Sequence, residues 1–191
     1  RIGIESLLDS TLIVEFEEDV LMKSDLDKSA MLVNAFNTWG TYSGDGQTVA
    51  ILDTGVDKNH LNLEGKVVSE ACYSTTSLST NPATTSLCPN GVSESTATDS
   101  ALPCITNCPL GLCDHGTHVA GIVASTNGFL TGIGKDANLI AIQVFSRIDD
   151  SEIGSWSSDQ IKGLERVYDL HTTYNIAAVN LSLGSYESYS S

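Results

Sequence analysis

Two histidines and an aspartate are the residues of this 191-residue chain best placed to do chemistry. His115 and His118 stand three apart in Asp114-His115-Gly116-Thr117-His118-Val119-Ala120-Gly121. A histidine that opens a helix can move protons near neutrality, because the helix N-terminus keeps the neutral, basic ring accessible. Asp53 closes the apolar run Thr48-Val49-Ala50-Ile51-Leu52 and is followed by Thr54-Gly55. Taken alone, a carboxylate after a strand reads more readily as a loop or cap residue. Beside a proton-transferring histidine, it would orient the ring and stabilise its charged form. The two histidines do not form the zinc-protease pattern, which needs a spacing of four and a Glu between them. No metal is expected on them, and His118 is read as a structural, hydrogen-bonded residue.

These residues need elements to hold them. Thr48 to Leu52 is a continuous apolar run of the kind buried on both faces of a parallel sheet. Gly116 to Ser125 is small and apolar, which predicts a buried helix packed closely through Ala and Gly. Leu139 to Phe145 and Ile176 to Leu183 read as two further strands. Between them, Ile161, Leu164, Val167, Tyr168 and His171 share one helical face, with Ser157 or Ser158 as the N-cap. Ser29 to Trp39 has helical spacing and a stop at Gly40. Strand, helix, strand, helix, strand predicts βαβ units, an α/β fold and a parallel sheet. Function then collects at the carboxyl ends of the strands, where Asp53 lies.

Composition narrows the function. With 9 basic and 24 acidic residues the net charge is −15, which repels phosphate backbones and argues against nucleic acid as a partner. No apolar run approaches the ~18 residues of a membrane span. The segment from Cys72 to Cys113 differs from the rest: it holds all five cysteines and all four prolines. Ser and Thr supply 15 of the 34 residues from Ser74 to Asn107. It is read as a long, irregular surface insertion at 72–113.

Three motifs now stand in order: Val49-Ala50-Ile51-Leu52-Asp53-Thr54-Gly55-Val56-Asp57, His115-Gly116-Thr117-His118-Val119-Ala120-Gly121, and Val179-Asn180-Leu181-Ser182-Leu183-Gly184. Together they resemble the subtilisin-like serine proteases, from about Ser29 to the end of the chain. The resemblance implies a three-layer α/β fold with a mostly parallel sheet, incomplete in this chain. It implies a serine endopeptidase with an Asp-His-Ser triad, in which Asp53 orients the ring and His115 is the general base, then acid. Ser182, Leu183 and Gly184 would pair with the substrate backbone and wall the primary side-chain pocket. Gly154 to Ser158 would border the far side of the cleft.

The family's nucleophile lies in a Gly-Thr-Ser-Met-Ala segment, and no such segment occurs here; Ser190 and Ser191 sit in a Tyr/Ser-rich tail. The chain is therefore expected to be the front part of a longer protease and inactive alone. The other reading is a catalytically inactive homologue that binds proteins; retention of both Asp53 and His115 argues against it. Val14-Glu15-Phe16-Glu17-Glu18-Asp19 resembles the closing strand of an inhibitory propeptide. Residues 1–28 are accordingly read as a propeptide remnant and linker, and 29–191 as the front of the catalytic domain, with maturation between Val20 and Ser29. Polypeptide substrates and the chain's own propeptide are the implied partners.

Cysteine usage points to an oxidising, secreted or otherwise extracytoplasmic setting. The preferred pairing is nested, Cys72 with Cys113 and Cys88 with Cys104, leaving Cys108, because the outer bridge would anchor both ends of the insertion beside His115. Cys104, Cys108 and Cys113 around a metal is the alternative, but the spacing is loose and a fourth ligand is missing. Catalysis in the family needs no cofactor, and calcium enters only as a structural ion. Here Asn62 stands where the family has an Asp, and Asn127 to Gly132 is shorter than the calcium loop.

Overall fold

The computed structural model describes residues 30–104, 111–127 and 130–184. The acidic lead-in with Val14 to Asp19, Cys108, and the tail with Ser190 and Ser191 lie outside the described residues. The helix predicted over Ser29 to Trp39 is split. Asn34 adopts a left-handed conformation at φ 62°, and α1 spans only Ala35–Thr38. Asn tolerates this region better than most residues, because its short amide can satisfy local backbone partners.

A five-stranded sheet forms the centre. It contains β1 (Thr48–Asp53), β2 (Val67–Tyr73), β4 (Glu94–Ser95), β7 (Asn138–Gln143) and β10 (Ile176–Asn180), in the order β10-β1-β7-β2-β4. All pairings are parallel except the short antiparallel contact of β4 with β2. The sequence pattern conceals β2. Its Val67-Val68 and Ala71-Cys72-Tyr73 are interrupted by Ser69-Glu70, which hides the apolar run. Register aligns Leu52 with Ile142 and Ile142 with Ala71, so apolar side chains stack across three strands.

Each face of the sheet is covered by one helix, giving three layers. On one face lies α2 (His115–Ala124), which buries Gly116, Ala120 and Ala124 against a cluster containing Ile51, Leu139 and Ala141. On the other lies α3 (Ser157–Leu170), over Ala50, Leu52, Ile140, Ile142 and Val144. The predicted apolar face of α3 is rotated. Asp159, Gly163, Val167 and Leu170 are buried, while Ile161, Leu164 and Tyr168 are exposed. Two contacts set this rotation. The buried Asp159 carboxylate accepts Thr75 N–H and Oγ1–H, both at 2.9 Å. At Gly163 the helix comes so close to the sheet that a Cβ would lie 2.9 Å from Leu52 Cδ2. Trp156 occupies the N-cap without a side-chain cap bond, so neither Ser157 nor Ser158 caps the helix.

The insertion is more ordered than its composition predicts. Its β3 (Thr85–Ser86) joins β8 (Ser146–Arg147) and β9 (Ile153–Gly154) in a three-stranded antiparallel sheet, order β3-β8-β9. Ser74 Oγ donates to Phe145 O at 2.7 Å and accepts Leu87 N–H at 2.9 Å. Trp156 Nε1–H donates to Thr84 Oγ1 at 3.0 Å. The insertion is thus stitched to the loop between β7 and α3.

The nested disulfide pairing is corrected. Cys72 bridges Cys88, with Cα atoms 5.7 Å apart, and Cys104 bridges Cys113 at 6.3 Å. After Cys88 the chain turns through Pro89–Gly91 and returns to pair β4 with β2, which keeps Cys88 beside Cys72. Cys113 lies in the 3-10 turn Leu112–Asp114 that feeds α2. Among the described residues, no helix is long and apolar enough to cross a membrane.

Candidate active site

Asp53 is the last residue of β1, between β10 and β7. Its side chain is 1% exposed. A carboxylate this deep needs donors, since desolvating the charge is otherwise costly. It has two: Thr54 N–H reaches Oδ1 at 2.7 Å, and His115 Nδ1 lies 2.8 Å from Oδ1 and 3.0 Å from Oδ2. A carboxylate only accepts, so His115 donates through Nδ1–H. Its unprotonated lone pair is then on Nε2, on a ring whose side chain is 50% exposed. The result is a base with a fixed tautomer and an open face.

His115 is the first residue of α2. Thr54 ties this helix start to the end of β1. Its Oγ1–H donates to Cys113 O at 3.0 Å, and its oxygen accepts Gly116 N–H at 2.9 Å. Thr117, in the same first turn of α2, adds a further tie by accepting Asp57 N–H at 2.8 Å. Nothing in the sequence marks either threonine as a positioning residue beyond its place inside the two motifs.

Two glycines permit this closeness. Gly55 has φ 102°, a left-handed conformation, and a Cβ there would lie 2.8 Å from Ala101 O. At Gly116 a Cβ would collide with Gly55 O and lie 3.0 Å from Asp53 Cβ. Backbone cannot move aside as a flexible side chain can. Gly116→Ala should therefore cost about 1–3 kcal/mol of stability. It should also break the Asp53–His115 hydrogen bond, read as loss of the far-downfield Nδ1 proton resonance. A variant of wild-type stability that keeps that resonance would contradict this packing.

The other predicted residues fall elsewhere. Ser182, Leu183 and Gly184 follow the end of β10 as irregular chain. Leu183 packs on the α3-side core, and Ser182 Oγ accepts Asn180 Nδ2–H at 2.9 Å. Gly154 belongs to β9, and Ser157 and Ser158 to the first turn of α3. His118 is exposed and its ring makes no hydrogen bond among the described residues, contrary to the structural bond expected of it.

The segment after α2, where the family has its calcium loop, forms the base of a short hairpin. Asn62 O accepts Thr126 N–H at 3.2 Å. β5 (Thr126–Asn127) pairs antiparallel with β6 (Leu130–Thr131), so local backbone groups serve each other. Among the described residues, no group of three or more His, Cys, Asp or Glu converges.

Comparison with known proteins agrees with this architecture. The model of the subtilase family matches residues 44–191. The minor extracellular protease Vpr of Bacillus subtilis (strain 168) is 33% identical over 177 residues, covering 88% of this chain and 18% of that protein. Thermitase of Thermoactinomyces vulgaris is 30% identical over 126 residues, covering 66% of this chain and 35% of thermitase. The chain thus spans well under half the length of these relatives. In fold, it resembles the MycP3 protease of the type VII (ESX-3) secretion system, with a TM-score of 0.53 and 23% identity, over 86% of this chain and 39% of that one. The parallel sheet, the two helix layers and the match over residues 44–191 place this chain in the subtilase family.

Proposed function

We propose that this chain supplies the aspartate and histidine of a serine endopeptidase, with the nucleophilic serine contributed by a part of the protein outside residues 1–191. One observation carries the proposal: Asp53 holds His115 through Nδ1 and leaves Nε2 free on an exposed ring. In that state Nε2 accepts the proton of a serine hydroxyl as it attacks the scissile carbonyl. It then returns the proton to the departing amine. Asp53 stays ionised and stabilises the imidazolium that forms between the two steps. The backbone at Ser182 to Gly184 pairs with the acyl side of a polypeptide substrate by strand addition. Residues 1–28 act as the end of a propeptide, and 29–191 form the front of the catalytic domain. Two disulfides fit an extracytoplasmic setting. A relative named as an extracellular protease supports the same reading.

A fluorophosphonate probe tests this. The protein made from the complete reading frame should take up one probe per chain, on a serine after residue 191. Residues 1–191 alone should take up none. A complete protein that stays unlabelled would instead favour an inactive, protein-binding homologue.

A further inference from the structure

Asp53 and His115 belong to two segments, and the insertion is fastened to both. On the strand side, Val56 N–H donates to Ala101 O at 2.8 Å, and Ala101 is 0% exposed. Leu102 lies so close to Gly55 that a Cβ there would be 3.1 Å from its carbonyl. The end of the insertion is therefore fixed to the chain that leaves Asp53. On the helix side, Cys113 stands two residues before His115, and its carbonyl accepts Thr54 Oγ1–H at 3.0 Å. A covalent link joins the two sides, because Cys104 bridges Cys113. The result is a closed ring that runs from Asp53 through Val56, Ala101, Cys104 and Cys113 back to Thr54. Opening the bridge breaks that ring at its one non-backbone covalent bond. Hydrogen bonds of modest net strength are then left to place the start of α2.

The two disulfides differ in what can reach them. Cys72 is 0% exposed and Cys88 4%, so both ends of that bridge are shielded from a reductant. In the other bridge Cys113 is 3% exposed, but Cys104 is only half-buried. A thiol can therefore enter at Cys104, with Cys113 as the leaving group. Cys113 lies in the turn that feeds α2, and a helix N-terminus favours thiolate over thiol. A leaving thiol with a lower pKa departs faster, so exchange is quicker at this bridge. Access and leaving group both single out Cys104–Cys113 as the reducible one.

We infer that the Cys104–Cys113 bridge is a redox switch on the catalytic pair. Closed, it holds His115 against Asp53; open, it lets the start of α2 shift, and turnover falls. The inference rests on the serine endopeptidase reading. The chemistry is thiol–disulfide exchange with a small thiol such as glutathione. A glutathione thiolate attacks Cys104 Sγ, the protein S–S bond breaks, and Cys113 leaves as thiolate. A second glutathione attacks the mixed disulfide and frees Cys104. Two electrons and two protons pass to the cysteines, and two glutathiones become one oxidised glutathione. The reverse reaction, with oxidised glutathione as the electron acceptor, closes the bridge. The protein then gains full activity on entering an oxidising compartment and stays weak in a reducing one.

The test uses the protein from the complete reading frame, equilibrated in glutathione buffers from fully oxidised to fully reduced. Differential alkylation with peptide mapping identifies the bridge that opens. In the same buffers kcat and KM are measured on one peptide, and the Nδ1 proton resonance of His115 is followed. Cys104 and Cys113 should become alkylated together while Cys72 and Cys88 stay bridged. Over that range kcat should fall roughly tenfold to a hundredfold, the scale of an ångström-sized misplacement, with KM little changed. The downfield resonance should vanish in step, and oxidised glutathione should restore both. A double variant, Cys104→Ser with Cys113→Ser, should show the lowered kcat in every buffer. Opening of this bridge with kcat unchanged overturns the proposal, as does a double variant with wild-type kcat. So does a bridge that opens only together with Cys72–Cys88 as the protein unfolds. An oxidised protein that cleaves no peptide and takes no fluorophosphonate overturns the protease reading instead. The resonance needs no turnover, so its loss or persistence on reduction then decides separately whether the bridge positions the ring.

Discussion

Replacing Asp53 by Asn in the complete protein should, on the proposed serine endopeptidase reading, lower kcat by about 10⁴-fold while leaving the fold in place, the magnitude known for the orienting carboxylate of serine proteases. The reasoning is specific to the geometry. Asp53 receives hydrogen bonds from Thr54 N–H and His115 Nδ1–H. An amide of the same shape can still accept the Thr54 bond through its oxygen. If its NH₂ instead faces the ring, it donates to Nδ1, and the proton moves to Nε2. The base then presents N–H where a lone pair is needed. Replacing His115 by Ala removes the base altogether and should cost about 10⁶-fold, again a magnitude measured within this family of proteases. The two losses should not add, because both residues act through one proton. Measuring kcat for each single variant and for the double variant checks this. An Asp53→Asn protein within tenfold of wild type would remove Asp53 from the mechanism.

The largest expected effect on stability comes from a residue outside the site. Lys58 Nζ lies 2.5 Å from Glu70 Oε2 and 2.8 Å from Asp99 Oδ1. Asp99 N–H also donates to Glu70 Oε2 at 3.1 Å. Glu70 is 9% exposed, and its Oε1 has no partner among the described residues. Removing Lys58 leaves this carboxylate facing Asp99 with only one donor. Lys58→Met should therefore cost about 3 kcal/mol, the low end for breaking a buried pair because water reaches the Lys58 end. Hydrogen bonds to Asp99 and then Glu70 raise the Lys58 pKa above its ordinary 10.5. A lysine raised in the folded state contributes fully below its unfolded value and loses that contribution as pH rises through the folded one. The difference between wild type and Lys58→Met in urea unfolding should hold steady from about pH 7 to 10 and shrink above about pH 10.5. A difference that grows with alkalinity would show that Lys58 stabilises by some means other than its charge.

The same triad explains why part of the fold is hard to read from sequence. Glu70 faces the α2 side of β2, where an apolar residue would be expected, because Lys58 from the connection between β1 and β2 neutralises it. A pattern search sees the charge and not its partner, so β2 stays hidden. The α3 face misleads for a related reason. Ile161, Leu164 and Tyr168 follow helical spacing, but the close approach at Gly163 and the bonds of Asp159 to Thr75 turn another face inward. The nested disulfide arrangement fails because spacing says nothing of the path by which β4 returns to β2. By contrast, β1, α2, β7 and β10 are legible. They depend on continuous runs of small or apolar residues, buried in β1 and β7 and carried on to the exposed edge strand β10. The proximity of Asp53 and His115 is legible too, since both lie inside dense motifs. What the motifs do not convey is Thr54, whose hydroxyl joins the two segments.

The cross-linked insertion also bears on survival among proteases. A protease cleaves chain that it can draw out into an extended strand, and exposed polar loops are the usual place for this. The tip around Leu78 to Ala83 is exposed and rich in small polar residues. Yet it lies inside the loop closed by Cys72 and Cys88, and Ser77 N–H and Thr84 N–H exchange backbone bonds across its base at 2.9 and 2.7 Å. One end of that loop is β2 itself. Drawing the tip out would require local opening against the sheet, so cleavage there is governed by the rarity of that opening. Even a cut at the tip would leave both halves joined through Cys72 and Cys88, and the strands that carry the site would stay in register.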